Sequence, residues 1–125
     1  MLGTNDLKAR FSLSASDIAA GAGALVDIVQ KSEVGPDGGA PMVLLVAPPP
    51  LGRLSELAEM FKGAAAKSNA LSEHFQLLAE ERGCSFLDAG AVIVSSDIDG
   101  VHLEVTEHGR LGRAVAEAVR HLLGT

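Results

Sequence analysis

The sequence contains no tryptophan and no tyrosine, and only four phenylalanines. Aromatic side chains are the platforms on which unpaired bases stack, so single-stranded nucleic acid would find little to hold it here. Positive charge is also scarce: ten Lys and Arg stand against sixteen Asp and Glu, for a net charge of −6. A surface of that sign repels phosphate backbones and anionic headgroups, which argues against nucleic acid and membrane surfaces as partners. The one cysteine, Cys84, has no partner for an internal disulfide, and its place before "SFLD" reads as a small buried apolar residue. No apolar run approaches the ~18 residues needed to span a bilayer, and "MLGTNDLKAR" lacks the basic-then-apolar order of a secretory leader. A soluble, cytoplasmic protein is the expectation.

What is present is an ordinary globular composition. The 125 residues are 47% hydrophobic and 21% charged, which suits one domain over residues 1–125. The opening "MLGTNDLK" looks like the end of a strand at Met1 and Leu2 running into a loop. Ile18, Ala22, Leu25 and Val29 recur at helical spacing between Ser14 and Lys31, and Ser14 followed by Asp17 fits a capping box. "PMVLLVAPPP" reads as a buried parallel strand over Met42 to Ala47, stopped by prolines that cannot donate to a ladder.

Leu54, Leu57, Ala58 and Phe61 predict a short helix, and Leu71, Phe75 and Leu78 a longer one ending near Gly83. "CSFLDAG" is a second short strand, "SSDIDGVHL" a loop, and Leu111, Val115, Val119 and Leu122 the apolar stripe of a closing helix. Strands alternating with helices predict an α/β fold with a parallel sheet. Two strands and a stub fall short of the roughly four to six of a typical sheet. Neighbouring strands are therefore expected from outside this segment, or from another copy of the chain.

Two short stretches carry chemistry. "DGVH" sets Asp99 and His102 three residues apart on a loop before a helix. A carboxylate so placed can take the Nδ1 proton of an imidazole, fix its tautomer and stabilise the imidazolium. "GTND" sets Asn5 just beyond a strand, where a side-chain amide can donate to a developing oxyanion. Each has a plainer reading, as a surface Asp–His hydrogen bond and as a Gly/Asn turn. A metal site from Asp97, Asp99 and His102 is disfavoured, because no second histidine lies at ligand spacing. His74 and His121 read as solvated helix residues.

"GTND", "APPPL", "DAG" and "DGVHL" in this order resemble the SGNH (GDSL-type) hydrolases, in particular the small arylesterase and acyltransferase branch. The resemblance covers nearly the whole chain. It implies a flavodoxin-like three-layer α/β/α fold and hydrolysis of small or short-chain acyl and aryl esters without a cofactor. It further implies His102 as general base, Asp99 as its orienting partner, and Asn5, with Gly3 beside it, on the oxyanion and substrate side. In that family two blocks precede the Gly-x-Asn-Asp segment, one with the nucleophilic serine of Gly-Asp-Ser and one with an oxyanion glycine. Neither block is in this sequence, which resembles the C-terminal two-thirds of such an enzyme with its first two strands absent.

The nucleophile is therefore unassigned. The serines nearest the motifs are Ser12, Ser14, Ser16, Ser95 and Ser96, and each has a structural alternative as helix cap or loop residue. Activated water is the other source of an attacking oxygen. Leu7, Phe11, Pro49, Pro50 and Leu51 are positioned to wall a short acyl site or simply to pack. The expected protein is a small-ester hydrolase that assembles as a homo-oligomer, a dimer or higher. The alternative is a catalytically inactive oligomeric remnant with a structural or binding role.

Overall fold

A computed structural model describes all 125 residues. Three helices, α1 (Ala15–Gln30), α2 (Ala64–Arg82) and α3 (Val105–Leu123), surround two short strands, β1 (Leu44–Ala47) and β2 (Ser85–Asp88). The strands are parallel, with Leu45 opposite Phe86 and Val46 opposite Leu87. Alternate residues point to opposite faces of a strand. Leu45, Ala47 and Phe86 accordingly enter a large core built with α1 and α2. Leu44, Val46 and Leu87 enter a smaller one with Ala89, Ile93 and Leu111 of α3. Helices thus cover both faces, the three-layer α/β/α arrangement the motifs imply, on a sheet of two strands.

The capping box forms as expected. Ser14 Oγ accepts the Asp17 N–H at 3.1 Å while the Asp17 carboxylate accepts the Ser14 N–H at 3.1 Å. The Ser14 hydroxyl, which donates to Asp17 Oδ2 at 2.6 Å, and after it the Ser14 N–H hold the Asp17 carboxyl below its usual range. The buried stripe of α1 is Ile18, Ala19, Ala22 and Val26, while Leu25 remains half exposed. Of the predicted stripe, Ile18 and Ala22 are buried and Val29 is half-buried, and Val26 takes the buried place expected for Leu25 because α1 packs mainly on α2 rather than directly on the sheet. Leu71, Phe75 and Leu78 of α2 are buried as their spacing predicts. Past Gly83 the Cys84 N–H caps the Ala79 carbonyl, and Cys84 itself is half-buried against the main core, which pushes its thiol pKa up.

Two expectations change. Residues 56–63 are successive turns where a helix over 54–61 is expected. The Phe61 N–H reaches Leu57 in the helical pattern, but Ala58, Lys62 and Ala64 each bond three residues back. The Ser55 hydroxyl is drawn to the Ile98 carbonyl at 2.7 Å, and the Met60 carbonyl accepts the Ala9 N–H. These outside partners compete with a regular helix, and Phe61 reaches the core all the same. Met1 and Leu2 join no strand and are 54% and 50% exposed. The first firm anchor is Gly3, buried beside Ile18, Leu71 and Phe75.

Candidate active site

Both strands run toward one edge of the sheet, and the loops leaving them there are tied together. After β1, the Gly52 N–H donates to the Gly100 carbonyl at 2.8 Å, and the Pro50 carbonyl accepts the Ser95 hydroxyl at 2.8 Å. The Leu51 N–H in the same loop donates to Ser68 Oγ, a nearly fully buried hydroxyl of α2, at 2.6 Å. The loop between β2 and α3 is thereby set down on the loop after β1. Carboxyl ends of parallel strands are where α/β proteins bind ligands.

On that platform sit Asp99 and His102. Asp99 Oδ1 accepts the backbone N–H groups of Val101 and His102 at 2.8 and 2.9 Å. Asp99 Oδ2 lies 2.6 Å from His102 Nδ1. The ring hydrogen bond first, and the two backbone bonds after it, hold the Asp99 carboxyl down to about 2. An ionised carboxylate can only accept, so the proton of the neutral imidazole resides on Nδ1 and the lone pair on Nε2. The His102 side chain is 75% exposed, against 24% for Asp99. The arrangement is an imidazole held in one orientation on an exposed side chain, with Nε2 left without a partner.

Gly100 makes this turn possible. Its φ of +77° is left-handed, and a Cβ there would stand 2.6 Å from the Arg53 carbonyl oxygen. No other residue type fits both the angle and the approach.

No side chain of the remaining candidates is hydrogen-bonded to the side chains of this pair. Asn5 is exposed at the start of a short 3₁₀ turn, Asn5–Leu7, whose Leu7 is fully buried in the core against which Val101 also packs. Asn5 and the Asp99–His102 pair thus each neighbour a residue anchored on the main core, without a hydrogen bond between them. Leu7 is packed inward rather than lining a cleft. Phe11 is half exposed under the Arg10 guanidinium, 4.9 Å from its ring centre. Gly3 faces the core, and its carbonyl accepts the Asp6 N–H.

Among the serines, the Ser12 hydroxyl donates to the Ala9 carbonyl and Ser14 caps α1 with Ser16 beside it. Ser95 and Ser96 are buried, bonded to Pro50 and Glu104 respectively. No serine hydroxyl is hydrogen-bonded to His102. No three His, Cys, Asp or Glu side chains are gathered to hold a metal ion. The motifs did not point to Ser68, Glu104 or Glu107. Each acts across a tertiary contact, and only the position of Glu104 at the N-cap and Glu107 in the first turn of α3 hints at a special role.

No protein-family model matches the chain, and no curated protein does so significantly. Solved structures do. Est24, a carbohydrate acetylesterase from Sinorhizobium meliloti, is 41% identical over 98% of this chain, with a TM-score of 0.92. The native aryl esterase of M. smegmatis is 40% identical over 98%, with a TM-score of 0.91. A carbohydrate acetylesterase family member from Sinorhizobium meliloti is 34% identical over 100%, with a TM-score of 0.93.

The chain has the fold of the SGNH-type hydrolases. It spans 59%, 59% and 60% of the lengths of those three chains. Within the SGNH-type frame the parallel pair β1–β2 and the dyad loop ahead of α3 are present with helices on both faces. No helix is long and apolar enough to cross a membrane.

Proposed function

We propose that this SGNH-type chain provides the oriented base for hydrolysis of small carboxylic esters, acyl or aryl. The observation that carries the reading is the 2.6 Å contact of Asp99 Oδ2 with His102 Nδ1, which leaves Nε2 unpartnered. The relatives' names, carbohydrate acetylesterase and aryl esterase, support esters as the substrate class.

In the proposed step an oxygen nucleophile attacks the ester carbonyl carbon as Nε2 removes its proton. Asp99 stabilises the resulting imidazolium without itself being protonated. Collapse of the tetrahedral adduct breaks the bond to the alkoxy or aryloxy group, which leaves with the proton from Nε2. Asn5 is the assigned donor to the oxyanion, with Gly3 beside it. The attacking oxygen comes from water or from a hydroxyl that reaches Nε2 only when substrate binds, since Ser12, Ser14, Ser16, Ser95 and Ser96 are all bonded elsewhere. Removing one member of such a unit forfeits most of the rate, so those same bonds favour a second reading, a catalytically silent chain.

Both readings include assembly into a homo-oligomer. The support is β1, whose outer edge carries no strand, together with Met1, Leu2 and Leu25 left half exposed. A monomer by sedimentation at micromolar concentration would remove that part.

Fluorophosphonate labelling, read by intact mass and peptide mapping, tests the function. A single adduct lost in His102→Ala identifies the serine and establishes the esterase. Without an adduct, turnover of p-nitrophenyl acetate that disappears in His102→Ala establishes the water route. Neither signal from folded protein leaves the silent chain.

A further inference from the structure

The loop that carries the dyad is held at its root by the first turn of the helix that follows it. Four bonds converge on Ser96. Its N–H donates to the His102 carbonyl at 2.7 Å and its carbonyl accepts the Gly100 N–H at 2.8 Å. Its Oγ accepts the Ile98 N–H at 3.0 Å and donates to the Glu104 carboxylate. One turn further, Glu107 is buried, with one oxygen accepting the Val94 N–H at 3.0 Å and the other paired with Arg110 at 3.0 Å. Residues 94–96 are thus clasped by 104–107, and the seven residues between them close into a loop that carries Asp99 and His102.

We infer that Ser96 and Glu104 are positioning residues for the Asp99–His102 pair, Ser96 by fixing both ends of the turn and Glu104 by fixing the Ser96 hydroxyl. The hydroxyl is then a strut and not a reserve nucleophile: it is 96% removed from solvent with its residue and bonded on both sides. Removing Oγ leaves the Ile98 N–H unpartnered and frees Glu104, so the turn loosens at the point where the Asp99 carboxylate is aimed. The inference rests on His102 being the base, and it can be tested without any ester turnover.

The test reads the imidazole and the carboxylate directly by NMR. In the full chain, long-range ¹H–¹⁵N spectra of neutral His102 show the Nδ1–H tautomer, and the Asp99 carboxyl titrates near 2. In Ser96→Ala the tautomer signal moves toward that of free histidine and the Asp99 titration rises toward 3.8. Ser96→Thr, which keeps the oxygen, restores both. Glu104→Ala, at an exposed position, repeats the change, and Glu104→Gln, which keeps an acceptor, reverses it. If Ser96→Ala does not fold, the Glu104 pair decides. Wild-type tautomer and titration in a folded alanine variant overturn the inference. Absence of esterase activity bears on the proposed function alone.

Discussion

Gly100 and Gly63 share nearly the same backbone angle, φ of +77° and +74°, in opposite surroundings. Gly63 is exposed with nothing within 4 Å of a would-be Cβ, whereas at Gly100 that atom would meet the Arg53 carbonyl oxygen at 2.6 Å and its carbon at 2.7 Å. Alanine at Gly63 incurs only the left-handed backbone term, roughly 1–2 kcal/mol. Alanine at Gly100 incurs the same term plus about 1–3 kcal/mol for the forced displacement. Moving the loop also breaks the 2.8 Å bond from Gly52 to Gly100, worth about 1 kcal/mol.

The expected losses are therefore about 1–2 kcal/mol for Gly63→Ala and about 3–6 kcal/mol for Gly100→Ala. Urea unfolding followed by far-ultraviolet circular dichroism is the suitable assay, since the chain has no tryptophan or tyrosine to report by fluorescence. Gly100→Ala also shifts the His102 ring resonances, and Gly63→Ala leaves them in place. Equal losses at the two sites would refute the claim that close approach of the two loops, rather than backbone angle, governs this turn.

Phe75, fully buried at the centre of α2, loses about 3–5 kcal/mol on substitution by alanine, read from the same unfolding curves. Ser68→Ala strands the Leu51 N–H inside the protein and costs about 1–3 kcal/mol; amide exchange at Leu51 accelerates while that of β2 does not. Asp99 has a folded-state pKa below its free value of 3.8. The stability it adds is therefore present above about pH 4 and lost as pH falls through about 2. Comparing wild type with Asp99→Asn across that window checks the sign, since the difference between them must shrink on acidification.

The elements that show in the sequence are those set by local chemistry. Ser14 and Asp17 meet within one turn, the proline run ends β1 where it must, and Leu71, Phe75 and Leu78 repeat at the period of the face they bury. The Asp99–His102 contact also closes over three residues, which is why "DGVH" can be read directly. What the sequence hides is decided by distant partners. Residues 54–61 carry a helical pattern, yet Ser55 is held by Ile98 and Met60 by Ala9, 43 residues later and 51 earlier. Leu25 fits the stripe of α1 but stays half exposed because α2, rather than the sheet, sets the buried side. The Ser96–Glu104 and Val94–Glu107 bonds follow no period, so nothing in the residue pattern marks these four positions as partners.

The locality of the dyad has a consequence for how such a site comes into being. A contact across three residues closes with very little loss of chain entropy, whereas a contact between remote segments forms only after the chain has been folded back on itself. His102 and its partner carboxylate can therefore be in place as soon as the turn and the start of α3 exist, early in folding. The scaffold is then modular in time as well as in sequence: the Asp99–His102 pair is prepared first, and the contacts between remote segments are the late arrivals.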